Sequence, residues 1–181
     1  MSAVSIWTFL IVAFVLGLER LCYAWVWRHT DIFRELCAHP VVTVFGQPID
    51  VLQKLFYGFK GVQLGVFLWW CVVYGQESNS LVSSDTAALG GGALLIVIGQ
   101  LLNFMVFYRL GKVGVFYGNK LGYPTPRCSL FPFSVLRHPQ YIGAVASIWG
   151  FFLAMRFPHD DWYLLPALET VYYAWGAYSE Q

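Results

Sequence analysis

Five apolar runs, Ser5 to Trp27, Val51 to Gly75, Ala87 to Tyr108, Gln140 to Met155 and Trp162 to Tyr178, take up most of the chain and leave few folds open to it. About 20 apolar residues are enough to cross the hydrocarbon core of a bilayer as a helix. Inside lipid, only helices and closed barrels satisfy their own backbone. These runs mark five candidate helices. With 58% hydrophobic residues and only 12% charged, the composition is far from that of a soluble domain. The expected fold class is all-α: an integral membrane helical bundle of four to five hydrophobic helices, forming one membrane-embedded domain over residues 1–181. No repeat or low-complexity linker divides it. A net charge of +1 argues against nucleic acid as a partner. The first run has no basic leader and no small-residue cleavage site, which predicts a retained anchor. Cys22, Cys37, Cys71 and Cys128 show no CxxC pairing and read as reduced packing residues.

Orientation follows from the cations, because loops rich in Lys and Arg stay cytoplasmic. The Arg109 to Pro139 loop holds Arg109, Lys112, Lys120, Arg127 and Arg137 with no acidic residue, whereas Gln76 to Thr86 has neither Lys nor Arg. The long loop is therefore expected in the cytosol. By parity the loop around Arg28 to Asp50 and the C-terminus lie on the same side, which brings Glu180 to the face of Arg137. The run from Gln140 to Met155 spans about 24 Å as a helix, short for a crossing.

The stretch "RHPQYIG", Arg137 to Gly143, opens that short run. Pro139 favours a helix start at or just after itself and pushes His138 toward an extended backbone. Free N–H groups there, with Arg137 and His138 beside them, suit an anion such as a carboxylate or phosphate. Gly143, Ser147 and Gly150 share one face, as do Gly92, Gly99 and Asn103 in the third run, with Gln100 beside them. Small residues at this spacing admit a neighbouring helix or a flat ligand. Plain helix packing and an Arg137 that snorkels to lipid phosphates account for the same pattern. Glu19, Arg20 and Glu169 are ionisable groups in or near apolar runs, where charge is expensive and often functional. Interfacial placement, or pairing with another helix, explains them equally.

At "GKVGVFYGNKLG" (Gly111 to Gly122), "FPFSVLRHPQYIG" (Phe131 to Gly143) and the terminal "AYSEQ", the sequence resembles the phosphatidylethanolamine N-methyltransferase family. That family lies within the wider group of membrane methyltransferases that includes isoprenylcysteine carboxyl methyltransferases. The similarity runs from about Gly99 to Glu180, and "WVWRHTDIFREL" (Trp25 to Leu36) resembles the segment after the family's first hydrophobic helix. The resemblance implies S-adenosylmethionine as cofactor, bound on the cytosolic side at a Gly-x-Gly of the third helix and a Glu-Glu at the end of the last. Here Gly99 is kept and Val97 stands at the first glycine; Glu180 is kept and Ser179 replaces its neighbour. Family members continue with a polar tail beyond the position of Gln181. Asn119 stands where the phospholipid enzymes usually have Asp.

Transfer of a methyl from a sulfonium needs alignment and desolvation more than protein chemistry. The resemblance implies that Arg137, His138 and the helix start take the methionine carboxylate. Gly99 would allow close approach, while Glu180, with Ser179 beside it, takes ribose hydroxyls or the amino group. Tyr117, Asn119 and Tyr141 fall to the acceptor, since aromatic faces suit methylated ammonium groups. His138 is the candidate catalytic base, with a stronger expected part in binding. The implied substrate is a membrane phospholipid in the bilayer, phosphatidylethanolamine or its mono- or dimethyl derivatives. The implied location is a multi-pass protein of the endoplasmic reticulum if eukaryotic, or of the inner membrane if bacterial, with its site toward the cytosol. Two other readings stay open. One is a methyltransferase for another lipophilic acceptor, a prenylcysteine carboxylate or small thiol; the prenylcysteine enzymes share the Arg-His-Pro-x-Tyr-x-Gly pattern. The other is a non-enzymatic membrane protein on the same fold.

Overall fold

A computed structural model describes residues 4–75, 82–125 and 128–180. Most of the polar loop after the second apolar run, Arg127 of the basic loop, and Gln181 lie outside the described residues. The elements are α1 (Ile6–Arg28), α2 (Thr30–Cys37), α3 (Pro40–Thr43), α4 (Pro48–Tyr74), α5 (Thr86–Val115), α6 (Pro139–Met155) and α7 (Leu164–Ser179). No strand occurs among the described residues. Helices α1, α4 and α5 are long and apolar enough to cross a membrane, and α6 is a shorter apolar helix. The all-helical membrane bundle is as expected.

Helix ends shift from the predicted ones for local reasons. Pro48 opens α4 at a position that needs no N–H, and the Asp50 carboxylate accepts from the Gln47 backbone N–H at 2.9 Å, so the helix starts before Val51. Asp85 caps α5 by accepting from the N–H groups of Ala87 (2.8 Å) and Ala88 (3.2 Å). At its other end α5 continues beyond Tyr108 through Arg109 and Lys112, and it is broken at Gly111, whose φ of 59° and ψ of −174° suit glycine. The first connecting loop contains two short helices. In α2, Phe33 and Cys37 are buried while Ile32 and Leu36 stay half exposed.

Two seams organise the bundle. Helix α5 lies along α6, and their glycines nearly touch: a Cβ on Gly92 would sit 2.7 Å from the Gly150 carbonyl oxygen, and one on Gly99 would sit 2.4 Å from that of Gly143. Helix α7 folds back from α6 and packs on α1, where the Tyr172 hydroxyl donates to the Ala13 carbonyl at 2.8 Å. The turn between α6 and α7 is tied into α4: Asp161 pairs with the buried Arg156 and accepts from the Trp70 indole N–H at 2.7 Å.

The opposite end collects the other set of helix termini. Lys112 pairs with Asp50, and the Tyr123 hydroxyl donates to Gln47 at 2.8 Å. Tyr117 contacts Tyr23 and Trp27 edge-on, with centroids 6.3 and 5.1 Å apart. The C-terminal ends of α1, α5 and α7 and the N-terminal ends of α4 and α6 therefore meet at one face, as parity requires. Phe56 of α4 meets Phe107 and Phe116 there; farther in, a cleft lined by Leu64, Ile96 and Phe151 opens beside α4, while Phe67 of α4 packs on Phe151 and Phe152 of α6.

Candidate functional site

Where the termini converge, a cavity of about 640 Å³ opens between α1, α4, α5, α6 and α7. At its mouth Pro139 starts α6 with its ring buried, and His138 before it is held at φ −128° and ψ 65°, off the helical path as the proline demands. The His138 ring lies nearly parallel to that of Tyr141 one turn on, with centroids 5.8 Å apart. Its Nε2 is buried without a hydrogen-bond partner among the described residues. Arg137 reaches the same rim from the exposed side.

Glu180 comes from the end of α7. One of its carboxylate oxygens accepts from the Tyr141 hydroxyl at 2.6 Å and from the Tyr117 hydroxyl. Tyr117 gets there through a left-handed backbone (φ 53°) just after α5, an uncommon conformation for an aromatic residue that re-aims the chain over the cavity. Burial, with Tyr141 and Glu180 as neighbours, holds the Tyr117 hydroxyl well above the usual tyrosine range, so it stays a proton donor.

Below the mouth the wall is charged. Arg20 is buried at 5% exposure, with its guanidinium carbon 3.8 Å from the Tyr173 ring centroid and 5.4 Å from that of Tyr141. It pairs with Glu19 at 3.2 Å, and Lys60 pairs with the same carboxylate at 2.9 Å. Lys60 also donates to Gln63 and to the Tyr173 hydroxyl, each at 2.9 Å, and Gln63 donates to Glu169 at 2.7 Å. Charges in lipid persist when they are paired in this way.

The residues expected from the sequence divide into two groups. Arg137, His138, Tyr117, Tyr141 and Glu180 come together at the mouth. Gly99 is instead in the α5–α6 seam, against Gly143 and Ser147, and its neighbours Gln100 and Asn103 face the cavity. Val97 is 54% exposed on the outer side of α5. The Ser179 hydroxyl donates to the Gly176 carbonyl at 3.0 Å, outside the cavity wall, and Asn119 is exposed in the turn above it. Lys60, Gln63 and Tyr173 were missed. Their one signal was a Lys and a Gln one turn apart on an otherwise apolar run.

A cavity with polar and charged groups along an otherwise apolar lining, built into a membrane bundle, is of the class that takes an amphipathic ligand. The family model "Phospholipid methyltransferase" matches residues 87–181, from the start of α5 through the basic loop to the end of α7. The chain belongs to the phospholipid methyltransferase family. It is 44% identical over 126 residues to the "Phosphatidyl-N-methylethanolamine N-methyltransferase" of Arabidopsis thaliana, covering 70% of this chain and 67% of that one. It is 33% identical over 85 residues to the "Phosphatidylethanolamine N-methyltransferase" of Rattus norvegicus, covering 46% of this chain and 39% of that one. No solved structure matches it. The protein is accordingly a membrane enzyme of phospholipid methylation.

Proposed function

We propose that the protein transfers a methyl group from S-adenosylmethionine to the amine of phosphatidylethanolamine derivatives, toward phosphatidylcholine, at the cytosolic face of its membrane. The monomethylated form is favoured as acceptor, since the plant relative is named for that lipid. In a eukaryotic cell the membrane is that of the endoplasmic reticulum, and in a bacterium the inner membrane. The observation carrying this reading is the meeting of Glu180, Tyr117 and Tyr141 beside His138 at the mouth of a lipid-embedded cavity.

The cofactor fits the groups present. The mouth offers a carboxylate acceptor in Glu180 and cationic or N–H donors in Arg137 and the start of α6. His138 Nε2 there is a buried polar atom without a partner among the described residues. When bound, S-adenosylmethionine supplies an electrophilic methyl on a sulfonium. Arg137 and the N–H groups following Pro139 hold its carboxylate, and Glu180 holds its hydroxyls or ammonium by charge-assisted bonds. Tyr117 and Tyr141 fix the Glu180 carboxylate and present aromatic faces to the acceptor amine. The surrounding bundle excludes water from the transfer.

Purified protein in nanodiscs, given labelled cofactor and separately un-, mono- and dimethylated phosphatidylethanolamine, is expected to label the lipid amine. Label on a prenylcysteine or thiol acceptor alone, or on none, would overturn the proposal.

A further inference from the structure

Beneath the mouth, two residues of the cavity wall each carry a buried hydrogen-bond donor without a partner among the described residues. Arg20 Nε and the Tyr23 hydroxyl are both buried, both belong to cavity-lining residues one turn apart on α1, and neither has a partner among the described residues. One face of the Arg20 guanidinium covers Tyr173, and its Nη2 donates to Glu19. Glu19 is shared between Arg20 and Lys60, while Glu169, the next carboxylate, is taken by the Gln63 amide. Arg20 and Lys60 thus share the Glu19 carboxylate, and the Nε edge of Arg20 is left without a hydrogen-bond acceptor among the described residues. Arginine with a hydroxyl beside it is a natural seat for an oxyanion.

The order of groups down the cavity says which oxyanion. The Arg20 guanidinium carbon lies 5.4 Å from the ring centroid of Tyr141, whose hydroxyl reaches Glu180, so the cation sits one ring below the mouth. Farther in, a second cavity of about 260 Å³ shares Lys60, Gln63, Gln100, Ser147 and Ile148 with the first and is otherwise lined by Leu64, Phe67, Ile96 and Phe151, in the cleft between α4 and the α5–α6 pair. The sequence polar mouth, aromatic faces, cationic edge, apolar slot is that of a phospholipid lying amine outward: amine, phosphodiester, acyl chain.

We infer that Arg20 Nε and the Tyr23 hydroxyl hold the phosphodiester of the acceptor lipid, with an acyl chain in the slot between α4 and α6. The identity of that lipid rests on the methyl-transfer reading; the oxyanion seat does not. The competing source of the same chemistry is the cofactor's carboxylate, and the test separates the two.

Full-length protein in nanodiscs is compared with Arg20→Lys and, should that variant fail to fold, Tyr23→Phe. Retention of phosphatidylmethanol, a phosphodiester lipid without an amine, is measured by native mass spectrometry, and cofactor affinity by calorimetry. Loss of one charge-assisted hydrogen bond predicts about tenfold weaker lipid retention and a matching rise in KM for the methylated acceptor, with cofactor Kd unchanged within about twofold. Weakened retention in a protein that never transfers a methyl group supports the seat while overturning the proposed reaction. Unchanged retention and KM, or a loss confined to cofactor affinity, overturns the inference.

Discussion

At the scale of single residues, Glu180 and its two tyrosines form the testable unit. Tyr117→Phe and Tyr141→Phe each remove one donor from the same carboxylate, and each is expected to lower kcat/KM about tenfold, as a hydrogen bond to a charged group does. Because the two share Glu180, the double variant should lose less than the product of the single losses; a double-mutant cycle in steady-state kinetics checks this. Tyr117 also sets a pH dependence. An unfolded tyrosine ionises near pH 10, whereas the folded protein holds this proton to higher pH, so stability falls as pH rises above about 10. A Tyr117→Phe variant lacks that part of the fall, and melting curves on either side of pH 10 would show the difference. His138→Ala is expected to weaken cofactor binding about tenfold while leaving most of kcat. Lost turnover at full cofactor affinity would instead make His138 the base. Much of this mouth was legible: a proline after His138 dictates a helix start, and parity puts Glu180 opposite it. The Lys60 network was not, because Glu19 and Tyr173 lie 41 and 113 residues from Lys60, and separation of that kind leaves no local pattern.

At the scale of elements, the α5–α6 seam depends on missing side chains. A Cβ at Gly99 would fall 2.3 Å from the Ser147 hydroxyl oxygen and 2.4 Å from the Gly143 carbonyl, whereas one at Gly90 on the same helix meets nothing within 4 Å. Gly99→Leu should therefore destabilise the protein by at least about 1–3 kcal/mol, the usual range for overpacking. Gly90→Ala should be neutral or slightly stabilising, given the better helix propensity of alanine. Thermal unfolding in detergent distinguishes them. The sequence spacing of Gly92, Gly99, Gly143 and Gly150 already suggested either a helix or a flat ligand as partner, and here it is a helix. The extension of α5 to Val115 was not legible, because Arg109 and Lys112 have the composition of a loop, and the decisive feature is a break at Gly111.

For the whole molecule, the two ends do different work. The end away from the mouth is closed by the buried Arg156–Asp161 pair and the Trp70 indole. Removing one partner strands the other charge, so Asp161→Ala should cost about 3–5 kcal/mol of stability. The folded fraction should still bind cofactor, because the change is distant from Glu180; calorimetry on the soluble fraction after mild heating tests both halves. At the other end α4 is held to α1 and α7 through Lys60 and Gln63 and to α6 through Phe67, and a cleft lined by Leu64, Ile96 and Phe151 is left beside it. A substrate that slides in edgewise from the surrounding leaflet never passes through the aqueous phase, and its product departs by the same slot. Turnover should then follow the mole fraction of acceptor among neighbouring lipids and fall on dilution with inert lipid, even when the total amount of acceptor in the tube is held fixed.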